Sequence, residues 1–350
     1  MKKFFQQLFN WELWPFKLIY APVVIVWLYY GLKARSFYFF TASNPTLVFG
    51  GFQAGSKIEM YKQLPPGSYP KTVLINPSQT IDTVKRQIKA SGLNYPFVAK
   101  PDEGMQGILF RVIESEDEMN KYHQFVGVNY IVQTYIDLPM EFSVFYIRYP
   151  GEKTGKVTGF ILKDYLHVTG DGEKTLEQLV DAHPKAMHRS AEMKKKHETN
   201  WLTIPKNGEN YYLSVAGNHN RGARFINLCK EIDQRLHDVF DRINYESTSF
   251  YYGRYDLKCT SIEDLKQGKN IMILEYNGAG AEPNHIYDCG MSYGQALKVI
   301  SSHWRDLYRI GKINNQNGVP YWTFSKSHRF LQQIKKDFKE LQRRDLALGV

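Results

Sequence analysis

Cysteine is scarce in this sequence, and the spacing of the few cysteines carries no structural signal. The 350 residues include three, Cys229, Cys259 and Cys289, and no two of them form a CxxC pair. An odd number without paired spacing predicts neither a disulfide framework nor a zinc site. We therefore expect reduced thiols, as in a cytoplasmic protein.

Internal repeats, low-complexity tracts and nucleic-acid-binding signatures are also missing. We find no zinc-finger spacing, no recognition-helix signature and no basic run interleaved with aromatics, so no nucleic-acid partner is predicted. Apolar residues make up 43% and charged residues 23%, which excludes wholesale disorder and a collagen-like chain. The 45 Lys and Arg against 35 Asp and Glu give a net charge of +10. This surplus favours phosphate in a nucleotide or in an anionic membrane face.

The N-terminal part of the chain, residues 1–56, is unusually apolar. Residues 18–32 carry no charge, but they are fewer than the roughly 20 that a membrane span needs, and Pro22 interrupts them. No small-residue cleavage site is found, which argues against a cleaved secretory signal. Aromatic and basic residues suggest peripheral membrane contact through 11–35, at the inner face of a membrane. The alternatives are a buried helix and a docking surface for a partner subunit.

The second half of this region, residues 36–56, is uncharged as well. Asn44-Pro45 and Gly50-Gly51 interrupt it, which predicts short buried strands joined by turns. Residues 51–57 contain glycines and a lysine, but a Walker phosphate loop needs four residues between its glycines and a lysine directly before Ser or Thr. We assign no phosphate loop of that type.

From residue 57 to about 310, helical and strand patterns alternate as in a mixed domain of helices and sheets. The predicted strands are 72–75, 96–101, 129–135, 141–148, 158–162, 251–258 and 271–276. The predicted helices are 57–64, 78–90, 176–180, 187–198 and 224–245, with an amphipathic basic helix in the C-terminal segment 311–350. The connection 260–270 is polar and is predicted to be a turn.

Two predicted strands near the C-terminal third carry the most informative polar residues. Strand alternation places Glu275 and Asn277 on one face, and a carboxylate among apolar neighbours is costly to bury without a partner. Asp256, Glu275 and Asn277 offer hard oxygen ligands, which suit Mg²⁺ with nucleotide phosphates completing the shell. Arg254 shares a face with Asp256 and could hold a phosphoryl or carboxylate oxygen. Each residue alone fits a salt bridge or a turn equally well.

Two earlier segments add a possible nucleotide site. Strand 96–101 delivers Lys100 into a loop where Gly104 and Gly107 would let backbone N–H groups approach phosphates. The strand 129–135 runs through a short connection into a strand headed by Glu141. Such a hinge could hold adenine against its backbone and ribose against the carboxylate. A surface turn and a plain strand–turn–strand unit are the alternatives.

In this order the three segments resemble the ATP-grasp superfamily, particularly D-alanine–D-alanine ligase, over about 57–310. The resemblance implies an α+β fold in which two α/β subdomains grip ATP. It also implies a C–N-bond-forming ligase that joins a carboxylate to an amine through an acyl phosphate, using ATP and Mg²⁺ (two ions, with Mn²⁺ a possible substitute). The alternatives are an ATP-grasp small-molecule kinase and a catalytically silent nucleotide-binding scaffold.

The resemblance also implies residue roles. Arg254 would stabilise the acyl phosphate and the tetrahedral intermediate, 104–107 would form a mobile flap, and Asp256, Glu275 and Asn277 would hold the metal. The implied ATP-binding residues are Lys57, Lys100, Gly104, Gly107, Gln133, Tyr135, Ile136, Glu141 and Lys163.

A further segment is similar to cyanophycin synthetase and related glutamate ligases. Residues 167–179 resemble their Gly-Asp-Gly segment, and Asn220-Arg221-Gly222 resembles their Arg-Gly-Gly turn. This similarity implies that Arg221 contacts phosphate or the transition state. The alternative for Gly170-Asp-Gly is a hairpin turn followed by a helix cap at Thr175.

The sequence departs from D-alanine–D-alanine ligase at two places. Only about 56 apolar residues precede the ATP-grasp region, instead of a full substrate-binding domain. Glu282 places a negative charge where that enzyme receives a substrate carboxylate, so D-alanine is not the expected substrate. Glu282, Asn284 and His285 are candidate substrate contacts, for amino-acid or peptide-like carboxylates and amines. The oligomeric state is not predicted.

Overall fold

The computed structural model describes residues 10–53, 55–104, 107–214, 217, 222–247 and 249–348. The chain divides into two compact units. The larger combines residues 1–161 with 227–349, and the smaller consists of residues 162–226. The predicted segments 1–56, 57–310 and 311–350 stay a prediction about domain organisation.

Helices and strands alternate through most of the chain. The helices are α1 Phe16–Tyr20, α2 Val23–Ala34, α3 Lys57–Tyr61, α4 Ile81–Ala90, α5 Glu116–Val126, α6 Leu176–Ala182, α7 Ser190–Lys196, α8 Gln234–Glu246, α9 Ile262–Gln267, α10 Tyr293–Gln316 and α11 Phe324–Ala347. The strands are β1 Thr72–Ile75, β2 Phe97–Pro101, β3 Arg111–Ile113, β4 Tyr130–Thr134, β5 Met140–Ile147, β6 Lys156–Asp164, β7 His167–Thr169, β8 Asn210–Tyr212, β9 Arg224–Asn227, β10 Tyr252–Cys259 and β11 Met272–Asn277.

The first sheet is antiparallel and has the order β1-β4-β2-β3. Its core side chains, among them Phe97, Tyr130 and Val132, are fully buried with Val84 of α4 and Met119 of α5. α4 begins at Ile81, three residues after the predicted start at 78, because Thr80 caps it by accepting a hydrogen bond from the backbone of the first turn. This sheet delivers Lys100 at the end of β2.

The second sheet has the order β11-β10-β5-β6-β9. β10 pairs antiparallel with β5 on one side and with β11 on the other. Two antiparallel sheets combined with helices confirm the predicted α+β class. Phe142, Tyr255 and Leu257 are fully buried beneath this sheet, while other residues of the same strands form the polar face described below.

The prediction of buried strands in residues 36–56 is wrong. The segment forms 3₁₀ turns at Phe39–Ala42 and Val48–Gly51, and their phenylalanines pack against Phe145 and Tyr252 of the second sheet. Gly50 requires a positive φ of 67°, and a Cβ there would lie 2.5 Å from Phe40 O. Such a backbone turns too tightly to join a sheet.

Element boundaries elsewhere also differ from the predictions, most clearly at two places. Residues 224–245 were predicted as one helix, but the chain forms β9 first and α8 begins only after Asp233, which caps it by accepting from Leu236 N at 3.1 Å. The connection 260–270 contains the short helix α9, capped by Ser261. In both places Ser or Asp at the cap position sets the start of the helix.

The smaller unit contains the paired strands β7 and β8 with α6 and α7 around a core that includes Trp201 and Leu176. Thr175 and Gln178 form a capping box at the start of α6. Asp171 accepts hydrogen bonds from the backbone of residues 173 and 174. The cap expected at Thr175 is thus present, and Asp171 forms a local turn. This turn is not a hairpin, because β7 pairs with β8 and not with a strand that follows the turn.

Among the described residues, no helix is long and apolar enough to cross a membrane. α2, which contains most of the uncharged N-terminal run, has 12 residues. At about 1.5 Å per residue such a helix is shorter than the hydrocarbon core of a bilayer.

Candidate active site

The polar face of the second sheet is built by strand register. Asp256 of β10 lies opposite Glu275 of β11 and opposite Ser143 of β5, and Arg254 lies opposite Asn277. Directly opposed residues of an antiparallel pair present their side chains on the same face. The predicted convergence of Arg254, Asp256, Glu275 and Asn277 on one face therefore follows from the pairing.

A β-bulge lies in the middle of this face. The pairing passes from Asp256–Glu275 to Leu257–Ile273, so that Leu274 has no opposite residue. A bulged residue leaves the regular ladder, and its backbone groups can serve other partners. The carbonyl of Leu274 accepts hydrogen bonds from Tyr61 Oη and, at 3.5 Å, from Lys100 Nζ. The bulge thereby brings Lys100 to the acidic strands.

Asp256 is the centre of the hydrogen bonding. Arg254 donates through Nε and Nη2 to the two carboxylate oxygens, each at 3.0 Å, and Asn277 Nδ2 donates at 3.2 Å. Ser143, which the sequence reasoning missed, donates its hydroxyl to the same carboxylate. Burial alone would lower the pKa of Arg254, but the charge of Asp256 and the hydrogen bonds to it raise that pKa. The buried carboxylate of Asp256 is thus compensated by one guanidinium and two neutral donors.

Two lysines lie next to this face. Lys57 Nζ donates to three backbone carbonyls, those of Pro101 and Asp102 at 3.1 Å and that of Gly104 at 3.3 Å. Burial lowers the pKa of Lys57 and of Lys100, and the charge of Glu275 opposes that shift in both. Glu275 therefore lies within the electrostatic reach of two partly desolvated ammonium groups, and an anion bound there would compensate their burial.

Lys100 retains donors for such an anion. Among the described residues its ammonium makes the single hydrogen bond to Leu274 O, although it carries three N–H groups. Gly104 lies at the start of the loop, and residues 105 and 106 fall outside the described residues. Gly107 has a φ of 70°, which favours glycine. The proposed flap over 104–107 stays a prediction.

The predicted hinge lies at the ends of β4 and β5. Lys258, which the sequence reasoning missed, is the cross-strand partner of Glu141. Its Nζ donates to the carbonyl of Ile136 at 2.9 Å and lies 5.9 Å from the centre of the Tyr135 ring. Gln133 differs: its side chain is buried and donates to Thr72 Oγ1 at 2.9 Å, so its amide joins β4 to β1.

The segment after β11 turns back onto Arg254. Arg254 Nη1 donates to the backbone carbonyl of Glu282 at 3.1 Å. The Glu282 carboxylate accepts hydrogen bonds from Tyr287 and, at 2.7 Å, from Tyr20 of α1. Burial and the charge of Glu282 raise the pKa of both tyrosines, so the hydroxyls remain protonated donors. Tyr20 was not predicted, since 262 residues separate it from its partner.

The two other candidate substrate residues are buried. Asn284 donates its backbone N–H to Glu282 O at 2.8 Å, which tightens the turn. His285 Nδ1 has no hydrogen-bond partner among the described residues, and burial lowers the pKa of His285 to about 4. A Cβ at Gly159 would lie 2.2 Å from that nitrogen, so the glycine makes room for a neutral imidazole.

The 3₁₀ turns at Phe39–Ala42 and Val48–Gly51, which we call the N-terminal turns, pack against the segment after β11. Ala279 and Gly280 donate backbone N–H groups to Gly50 O at 3.0 Å and Gly51 O at 3.2 Å. A Cβ at Gly280 would lie 1.9 Å from Phe52 O, so this approach requires glycine. The region before α3 is therefore part of the larger unit and fixes the loop that carries Glu282.

Lys163 belongs to the smaller unit, and Arg221 lies outside the described residues. Their predicted roles stay predictions.

The donor set fits a divalent cation in its chemistry. Asp256, Glu275 and Asn277 supply two carboxylates and an amide oxygen on one face, which are the ligand types that Mg²⁺ accepts. Within the described parts of the chain there is no group of three or more His, Cys, Asp or Glu suited to a metal. Arg254 is the cation that holds Asp256 in this structure.

Comparison with known proteins gives structural neighbours only. No family model and no curated protein matches the chain. Among solved structures, the chain is similar to a bifunctional glutathione synthetase from Pasteurella multocida, with 15% identity and a TM-score of 0.41 over 71% of this chain and 36% of that one. It is also similar to D-alanine–D-alanine ligase from Bacillus anthracis, with 14% identity and a TM-score of 0.40 over 75% and 69% of the two chains.

A third neighbour is N5-carboxyaminoimidazole ribonucleotide synthetase in its ADP complex, with 16% identity and a TM-score of 0.41 over 74% of this chain and 54% of that one. The chain thus spans about a third of the length of the first of these proteins and about half of the third. These are ATP-grasp ligases, the class that the sequence resembles. At TM-scores of this size we take no activity and no residue role from them.

Proposed function

We propose that this protein is an ATP-dependent ligase that joins a carboxylate to an amine through an acyl phosphate. The observation that carries the proposal is the single polar face on which Arg254, Asp256, Glu275 and Asn277 converge beside Lys100. Such a face supports phosphoryl transfer, because it places carboxylate oxygens next to Lys100, whose ammonium has N–H groups left to bind a phosphate.

In the first step, a substrate carboxylate oxygen attacks the γ-phosphorus of ATP, the bond to the bridging oxygen breaks, and ADP leaves. A carboxylate is a poor electrophile, and phosphorylation gives it a good leaving group. Lys100 would bind the transferred phosphate, since its ammonium is partly desolvated and retains donors. Lys57 donates to the carbonyls of Pro101, at the end of β2, and of Asp102, and it would fix the base of the proposed flap.

Asp256, Glu275 and Asn277 would hold Mg²⁺, which when bound neutralises charge on the phosphate oxygens. Arg254 lies among these residues, and the same guanidinium that now neutralises Asp256 would turn its donors to the negative oxygens of the substrate. For the nucleotide, Tyr135 and Ile136 would contact adenine and Glu141 the ribose. The side chain of Gln133 would take no part, since Thr72 engages it.

In the second step, an amine nitrogen attacks the acyl carbon, the C–O bond to phosphate breaks, and inorganic phosphate and a proton leave. Arg254 would stabilise the oxyanion that forms on the acyl oxygen. Glu282 would favour an amine or ammonium group nearby, because Tyr20 and Tyr287 fix its carboxylate at the segment that Arg254 contacts. Amino acids and peptide-like molecules are therefore the proposed substrates.

The test measures ADP release by the full chain with Mg²⁺, across a panel of amino acids and dipeptides, supplied singly and in pairs. The proposal expects ADP release that depends on an acyl donor together with an amine, and an amide product. A phosphorylated product formed without any amine would mean a kinase instead. ATP binding with no turnover on any pair would indicate a silent scaffold, and either result overturns the proposal.

A further inference from the structure

Helix α2 has an outward face made of large apolar side chains. Its members are exposed by 50% at Val24, 71% at Ile25, 41% at Leu28, 51% at Tyr29 and 71% at Leu32. Their spacing of three and four residues puts them on adjoining rows along one side of the helix. The opposite side is also apolar, since Trp27 and Tyr30 pack against the aromatic core. A surface helix whose outward side faces water typically carries polar residues on that side.

Large apolar side chains are also exposed in the segments before and after α2. Leu13, Phe16 and Leu18 are exposed on the N-terminal side, and Phe37 is exposed beyond α2. We call these residues, together with the outward residues of α2, the N-terminal apolar face. Contiguous exposed apolar surface of this kind marks a site of interaction with a protein or a membrane.

The charges carried by the segment that bears the N-terminal apolar face are positive. No Asp or Glu occurs between Glu12 and Glu59, whereas Lys17, Lys33 and Arg35 are exposed within that stretch. Lys33 Nζ lies 4.7 Å from the centre of the Tyr29 ring, so an ammonium borders the apolar side chains directly. On the side of α10, Lys298 and Arg305 line a depression next to Tyr30.

These observations favour a lipid surface over a second copy of the chain. Two copies that met through this face would bring like charges together, and each pair would cost free energy. An anionic bilayer offers acyl chains to the apolar residues and negative headgroups to the lysines, with aromatic rings at the boundary. A 12-residue helix is too short to span a bilayer but long enough to lie in its interface.

We propose that the N-terminal apolar face docks on the surface of an anionic lipid bilayer, with α2 lying in the plane of the interface. This proposal is independent of the ligase activity, because it depends on residues that take no part in the polar face of the second sheet.

The test is cosedimentation of the full chain with vesicles of phosphatidylcholine containing about 30 mol% phosphatidylglycerol, against vesicles of phosphatidylcholine alone. We expect preferential binding to the anionic vesicles. Raising the salt from about 0.1 M to about 1 M should weaken it, because the Debye length falls from about 10 Å to about 3 Å. The double variant Ile25→Ser, Leu32→Ser should bind at least about tenfold more weakly, since two exposed apolar side chains are lost.

Leu202→Ser is the matched control, because Leu202 is 72% exposed but lies in the smaller unit. It should bind like the parent protein. All three proteins should melt at the same temperature, since each changed side chain is exposed. Equal binding by the double variant, or no binding to anionic vesicles, would overturn the proposal. So would a dimer, seen by sedimentation velocity, that the double variant abolishes.

Discussion

The Asn44 side chain joins two segments that are distant in sequence, so replacing it tests how much tertiary hydrogen bonds contribute to stability. Its side chain is fully buried in the N-terminal turns and makes four hydrogen bonds to backbone. Nδ2 donates to Gly50 O at 3.0 Å and to Tyr252 O at 2.9 Å, and Oδ1 accepts from Tyr251 N at 2.9 Å and Tyr252 N at 3.0 Å. One amide thus ties the N-terminal turns to the start of β10.

Asn44→Ala should lower the free energy of unfolding by about 4 kcal/mol, at about 1 kcal/mol for each hydrogen bond lost. Gly50 O keeps its hydrogen bond from Ala279 N. The other three backbone groups lose the buried amide as a partner, and hydration recovers little of that loss at a buried site. Ser43→Ala is the matched control. Ser43 is equally buried, but its hydroxyl makes one local bond, to Phe40 O at 2.7 Å, so about 1 kcal/mol is expected.

The assay is urea unfolding of the full chain, followed by tryptophan fluorescence and far-UV circular dichroism. The midpoint should fall in Asn44→Ala while the slope with denaturant stays the same, since the surface exposed on unfolding does not change. If Asn44→Ala costs no more than Ser43→Ala, the four bonds do not act together and the N-terminal turns are not held as described.

Three further predictions address the site. Glu275→Gln should abolish ADP release while far-UV circular dichroism shows that the fold is retained. Glu263→Gln, a change in an exposed ion pair on α9, should preserve activity. Full activity in the first variant would contradict the proposed metal set. Tyr20→Phe should raise the KM for the amine more than the KM for ATP, because it removes one hydroxyl that donates to the Glu282 carboxylate. An equal rise in both KM values would mean a general loss of structure. The pKa of His285 is about 4 in the folded chain and about 6.5 in the unfolded chain. Between these two pH values the unfolded state therefore binds more protons than the folded state. The free energy of unfolding should fall as the pH drops through 6.5 toward 4. The contribution is about 3 kcal/mol, and His285→Leu should flatten this part of the pH profile of urea unfolding; an unchanged profile would show that the imidazole is charged in the fold.

Strands that carry their own alternating pattern were predicted well, and so was the face they form. Glu275 and Asn277 could be placed together because strand alternation is local. Their opposition to Asp256 and Arg254 followed once the two strands paired. The helix predicted at 78–90 is found at 81–90, where Thr80 supplies a cap that the sequence displays.

Contacts between distant segments could not be predicted. Tyr20 reaches Glu282, and Asn44 reaches Tyr252, across more than 200 residues of sequence. No local pattern encodes such a partner. The same limit explains the error in 36–56: an uncharged segment with glycines has the composition of buried strands, but tertiary hydrogen bonds from Asn44 hold it in turns.

The bulge at Leu274 also determines the sidedness of β11. In an unbroken strand Ile273 and Glu275 would point the same way, yet Ile273 is fully buried and pairs with Leu257, while Glu275 pairs with Asp256. Because of this one extra residue, side chains of the first half of the strand point into the hydrophobic core, and those of the second half lie on the acidic face. A sequence alignment of this strand with a regular strand therefore needs a gap at Leu274. Without it, either Ile273 would be assigned to the polar face or Glu275 to the core.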